Sequence, residues 1–77
     1  MSEGKLPVLR SGELIRALEK LGFRRIRKSA GSHQRFGQAD GRKTTVPVHK
    51  GKTIGRGLLR KILRDIGLTA EELKQLL

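Results

Sequence analysis

The 77-residue chain carries 18 Lys and Arg against seven Asp and Glu, a formal net charge of +11, with two Phe and no Tyr, Trp or Cys. That length allows one domain with a small aliphatic core, and the lack of Cys excludes disulfides, thiolate metal sites and a cysteine nucleophile. Two His cannot complete a typical structural zinc site, and no run approaches the roughly 20 apolar residues that span a bilayer.

Residues 1–10 hold Pro7 and no clear period, and read as an extended N-terminal arm before one domain over 11–77. They lack the apolar core of a secretory signal, so a cytoplasmic location is expected. Ser11 reads as a helix N-cap, with Glu13 in the first turn where the helix dipole favours an acid. Leu14, Ile15, Leu18 and Leu21 follow at helical spacing, and Gly22 closes a helix over about 12–21. Phe23-Arg-Arg-Ile-Arg-Lys28 separates apolar side chains with bases, as a short strand with one solvated face does. Ser29-Ala-Gly31 reads as a turn and Ser32 to Gln38 as a second strand. Asp40-Gly41 signals a hairpin, because the pair supplies the positive φ angles of a tight turn. Lys43 to Val48 is the third strand, with Pro47 at a strand end or edge because it cannot donate to a ladder. His49 to Lys52 form a basic loop, and Thr53 reads as the N-cap of a second helix. Its apolar stripe is Leu58, Leu59, Ile62, Leu63 and Ile66, stopped by Gly67. Thr69-Ala-Glu-Glu72 is a capping box that opens a short helix over 70–76, with Leu73, Leu76 and Leu77 as its apolar residues.

The order α-β-β-β-α plus a helical tail predicts a two-layer α+β domain, a three-stranded antiparallel sheet with helices on one face. The other face is left open. Alternation along the second strand then sends Phe36 to the helices, and His33 and Arg35 to the open face or its rim.

The charge is segregated along the chain. Residues 23–64 hold thirteen Lys and Arg against Asp40 alone, a local net of +12, while 1–22 net +1 and 65–77 net −2. Such a block repels itself, and an acidic partner relieves the repulsion. Nucleic acid is the commonest such partner, ahead of an acidic protein or an anionic membrane surface. With only Phe23 and Phe36, both wanted by the core, no aromatic platform is left to stack bases, so shape and backbone recognition is favoured.

His33 lies in Gly31-Ser-His33, flanked by Lys28 and Arg35. An imidazole can act as general acid or base near neutral pH. In RNA such a base can take the 2′-OH proton while cations stabilise the charge on the attacked phosphate. Gly31 would let the RNA backbone approach closely. The alternative reading of His33 is a plain phosphate contact, and spacing by itself favours that reading. His49 stands in the basic loop as a second acid, a phosphate contact or a residue without a role. Arg56, Arg60 and Arg64, with Lys61 beside them, form a basic stripe opposite the leucines of the second helix, whose N-terminus favours a phosphate. The sequence has neither a Walker-type phosphate loop nor an H-E-x-x-H motif.

Four stretches together resemble the HicA toxins of HicAB toxin–antitoxin systems: Ser11-Gly-Glu-Leu-Ile-Arg-Ala-Leu-Glu-Lys-Leu-Gly-Phe23, Gly31-Ser-His33, Thr45-Val-Pro-Val-His49, and the segment from Ile54 through Gly57, Leu59, Arg60, Ile62 and Leu63 to Gly67-Leu68. The likeness covers about 6–77 in order. It implies a double-stranded-RNA-binding-like fold and an mRNA interferase, an endoribonuclease that stops translation. It also implies His33 as the catalytic residue and a HicB-like acidic antitoxin that masks the site. The RNA contacts expected around His33 are Lys28, Ser32, Arg35, Lys43, His49, Lys50, Lys52, Arg56 and Arg60. The chemistry requires no metal or other cofactor, and no membrane partner is expected. The competing readings are a non-catalytic double-stranded-RNA-binding module and a protein-interaction domain for an acidic partner.

Overall fold

The computed structural model describes residues 5–28 and 32–77, with Arg27 and Lys28 described by their backbone alone. The turn expected at 29–31, and with it Gly31, lies outside the described residues. The elements run α1 (Ser11–Lys20), β1 (Arg24–Lys28), β2 (His33–Gly37), β3 (Lys43–Pro47), α2 (Arg56–Ile66) and α3 (Ala70–Leu76). This is the expected double-stranded-RNA-binding-like α+β arrangement. The sheet is antiparallel with β2 in the centre and β1 and β3 at the edges.

Strand parity divides the sheet into two faces. Phe36 and its cross-strand neighbour Thr44 are buried, as is Val46 opposite Gln34. Thr44 Oγ1 donates to Asp65 Oδ2 of α2 at 2.9 Å, and α1 and α2 pack against β3. This face carries the core: Leu14 and Leu18 of α1, Leu59, Ile62 and Ile66 of α2, Leu73 of α3, and Phe23 and Phe36. Burying each such side chain contributes roughly 1.5–3 kcal/mol. The opposite face holds His33, Arg35, Lys43 and Arg24, all exposed. Ile26 belongs to it too, 51% exposed and lying over Gly37. A bulge between Arg25 and Lys28 breaks the ladder after that point.

Two N-caps differ from expectation. Ser11 is the first residue inside α1, and its hydroxyl donates to the Pro47 carbonyl at 2.8 Å. Arg10 is the cap residue, and its backbone N–H donates to Glu13 Oε1 at 2.8 Å. Thr53 does not cap α2; Gly55 does, while Thr53 forms an isolated antiparallel bridge with Arg10. The Thr69–Glu72 box is present, with Glu72 N–H donating to Thr69 Oγ1 at 3.1 Å and Thr69 N–H to Glu72 Oε1 at 2.9 Å. Gly67 closes α2 in the left-handed region at φ 69°.

In the 38–42 hairpin, Gly41 takes positive φ (99°) and Asp40 does not, so the turn is longer than the tight two-residue form expected of Asp-Gly. Gly41 N–H donates to the Gln38 carbonyl and Gln38 N–H to the Arg42 carbonyl, both at 2.9 Å. Leu77 is 55% exposed and not part of the core, whereas Leu9 and Ile54, outside every expected stripe, are buried in it.

Candidate nucleic-acid interface

His33 opens β2 opposite Pro47, the last residue of β3. Three backbone-directed bonds then draw four segments to this end of the sheet. Val48 N–H donates to the Ser32 carbonyl at 2.7 Å, tying the loop after β3 to the start of β2. The Ser11 hydroxyl bonds the Pro47 carbonyl and brings the start of α1 alongside. Ile54 N–H donates to the Leu9 carbonyl at 2.8 Å, which with the Arg10–Thr53 bridge fixes the entry to α2.

One end of the molecule therefore gathers Ser32, His33, His49, Lys50, Lys52 and Arg56. Ser32 is half-buried and the others are exposed. Arg35 shares the open face with His33, roughly 7 Å further along the strand. Lys28 pairs through its backbone with Gln34, one position from His33. Two expected contacts fall elsewhere. Lys43 lies opposite Gly37 at the far end of the sheet, roughly 14 Å from His33 by strand rise. Arg60 and Arg64 are exposed on the same outer stripe of α2 as Arg56, one and two turns further from the entry to the helix, so they lie farther along α2 from the His33 end.

Several bases of the central block have structural work. Arg42 Nε pairs with Asp40 Oδ2 at 2.7 Å, its Nη1 donates to the Ile66 carbonyl, and its guanidinium sits 5.2 Å over the centroid of the Phe23 ring. Lys61 pairs with Asp65 at 3.5 Å. At the His33 end, Arg10, Arg16, Arg35, Lys50, Lys52 and Arg56 form no ion pair among the described residues. Glu13 is the acid in their midst.

A cleft of about 420 Å³ opens between the start of α1 and the 48–51 loop; Arg10, Arg16, His49 and Lys50 line it with Glu13. Arg10 and Arg16 are not legible as site residues in the sequence, because the segment 1–22 nets only +1. Among the described residues no three His, Asp or Glu side chains cluster to hold a metal ion, and no helix is long and apolar enough to cross a membrane.

A family model described as HicA toxin of bacterial toxin-antitoxin matches residues 11–68. The chain belongs to the HicA toxin family. This HicA chain is thus the toxin of a toxin–antitoxin pair, with a cognate antitoxin as partner. The match spans every element from α1 through α2, and so includes His33, the basic loop and every residue lining the cleft except Arg10. No curated protein matches the chain.

Proposed function

We propose that this HicA toxin is an endoribonuclease, an mRNA interferase with His33 as its general base or acid. The observation that carries the reading is the exposed His33 at a molecular end where cations from four segments converge and form no ion pair among the described residues. A ribonuclease of this kind needs little more. One imidazole takes the 2′-OH proton, and the freed oxygen attacks the adjacent phosphorus. The P–O5′ bond breaks as the leaving oxygen accepts a proton from solvent water, giving a 2′,3′-cyclic phosphate and a 5′-hydroxyl. Arg35, Lys50, Lys52 and Arg56 stabilise the charge that builds on the phosphate. With Ser32, His49 and Lys28 they form the proposed RNA contact.

Neither Phe is exposed, since both are 1% accessible in the core, so backbone and 2′-OH contacts dominate over base stacking. No step requires a metal. A HicB-like acidic antitoxin fits the same surface by charge, which makes the cationic end the natural place for inhibition. Action on mRNA puts the toxin in the cytoplasm.

The test is expression of the wild type and His33→Ala without antitoxin, following growth and RNA integrity. The reading expects arrest and RNA fragmentation with the wild type only. Equal arrest by His33→Ala removes His33 from the chemistry. A second reading, a non-catalytic double-stranded-RNA-binding module, draws on the fold and on the bases along the outer side of α2. It expects salt-sensitive binding of intact duplex RNA that His33→Ala leaves unchanged.

A further inference from the structure

We propose that the cleft between the start of α1 and the 48–51 loop is a nucleotide subsite, seating the RNA phosphate next to the one cleaved. This rests on reading the His33 end as an RNA-cleaving site, and it adds Arg10 and Arg16 as the residues that hold the neighbouring phosphate.

Position is the first argument. The cross-strand pair His33 and Pro47 has a Cα separation of about 5 Å, and Pro47 to His49 spans at most about 7 Å. His49 on the cleft wall is therefore within about 12 Å of His33, backbone to backbone, and RNA lying on His33 must run past the cleft or away from it. Size is the second. About 420 Å³ falls within the range of small-molecule sites. Gly12 and Gly51 present no side chains to its walls, and Val48 offers an apolar patch beside them.

Charge is the third argument. Arg10, Arg16 and Lys50 face one acid, Glu13, and one oxygen of that acid is engaged by the Arg10 backbone N–H at 2.8 Å. None of the three cations has an ion-pair partner among the described residues. The surplus is positive, and two separate elements supply it. That arrangement suits a phosphodiester with adjoining ribose, where a flat basic patch would serve duplex shape instead.

The test uses the full chain as His33→Ala, so that RNA stays intact, and a short fluorescent single-stranded RNA. Affinity is measured against salt for this parent, for the same protein with Arg16→Gln, with Arg10→Gln and Arg16→Gln together, and with Lys74→Gln on α3 as control. Circular dichroism confirms that each variant folds. The expected result is about a tenfold loss of affinity in the double variant, with the salt slope reduced by about 0.7 per lost phosphate contact, and no change for Lys74→Gln. In the chain with His33 intact, Arg16→Gln raises KM and leaves kcat nearly unchanged. Unchanged affinity and slope in the double variant overturn the subsite while leaving His33-dependent cleavage standing. Unchanged RNA affinity with lost antitoxin binding also overturns it, and gives the cleft to the antitoxin. If the wild type cuts no RNA yet the double variant still loses affinity, the ribonuclease reading fails and the cleft stands as an RNA contact.

Discussion

Arg42 shows why counting bases overstates an RNA footprint. Its guanidinium is shared between Asp40, the Ile66 carbonyl and the face of Phe23, three elements that meet far from His33. Arg42→Ala should lower stability by about 1–3 kcal/mol, since a charged hydrogen bond to a carbonyl at the end of α2 is lost along with the cation–π contact. Denaturant unfolding measures it, and the salt slope of RNA binding should not move. The neighbouring Asp40 is held below its ordinary value of 3.8, first by the Arg42 backbone N–H that it accepts. The fold therefore prefers the carboxylate. That preference is present above the ordinary value and is lost as pH falls through the lower folded one. An NMR titration should place the Asp40 midpoint below that of an unstructured peptide.

Two glycines at this scale make opposite predictions. Gly57 sits in the first turn of α2 with ordinary φ and nothing within 4 Å of an added Cβ. Gly57→Ala should stabilise the chain by about 0.5–1 kcal/mol. Gly41 has the same open space but φ of 99°. Gly41→Ala should destabilise by roughly 1–2 kcal/mol, as thermal melts of the two variants will show.

At the scale of elements, the junction between α1 and β3 depends on Ser11. Its 5% exposure and its bond to the Pro47 carbonyl predict a loss of about 1 kcal/mol on Ser11→Ala. Thr69→Ala should cost about as much by removing a true cap. These two residues also mark what was legible in the sequence. Helical stripes in α1 and α2, the Thr69 box, the Gly67 stop and the edge position of Pro47 follow from local periodicity and backbone sterics, and all are found. Ser11 and Thr53 look like caps by local rules, but their partners lie 36 residues away for Ser11 and at Arg10 for Thr53. Long-range pairing took them, and no local rule registers that. Ile26 is similar: alternation put an apolar residue in β1, but only the register shows it facing the open side over Gly37.

The candidate site was legible in part for the same reason. His33 and the 49–52 loop stand out as a motif and a charge run. Their meeting at one end needs the Ser32–Val48 bond and the β2–β3 register. Lys43 and Arg60 belong to the same run of charge and are carried away by strand length and by distance along α2. Arg10 and Arg16 come from a segment that is nearly neutral overall and are brought in by the fold.

For the whole molecule, the net charge of +11 on 77 residues opposes compaction. Screening shortens to about 10 Å at 0.1 M salt, so melting temperature should rise as salt is raised from about 0.01 M to 0.1 M. On the proposed reading the same charge links two roles, because the cationic end proposed to meet RNA is also the surface an acidic antitoxin would cover. The most direct measurement is single-turnover cleavage by purified wild type and His33→Ala, with chelator present, on an RNA and on its counterpart carrying a single 2′-deoxy at the cut. The account predicts a rate lower by about 10²–10⁴-fold for His33→Ala and an uncut 2′-deoxy substrate; equal rates for the two proteins, or cutting at the 2′-deoxy position, would contradict it.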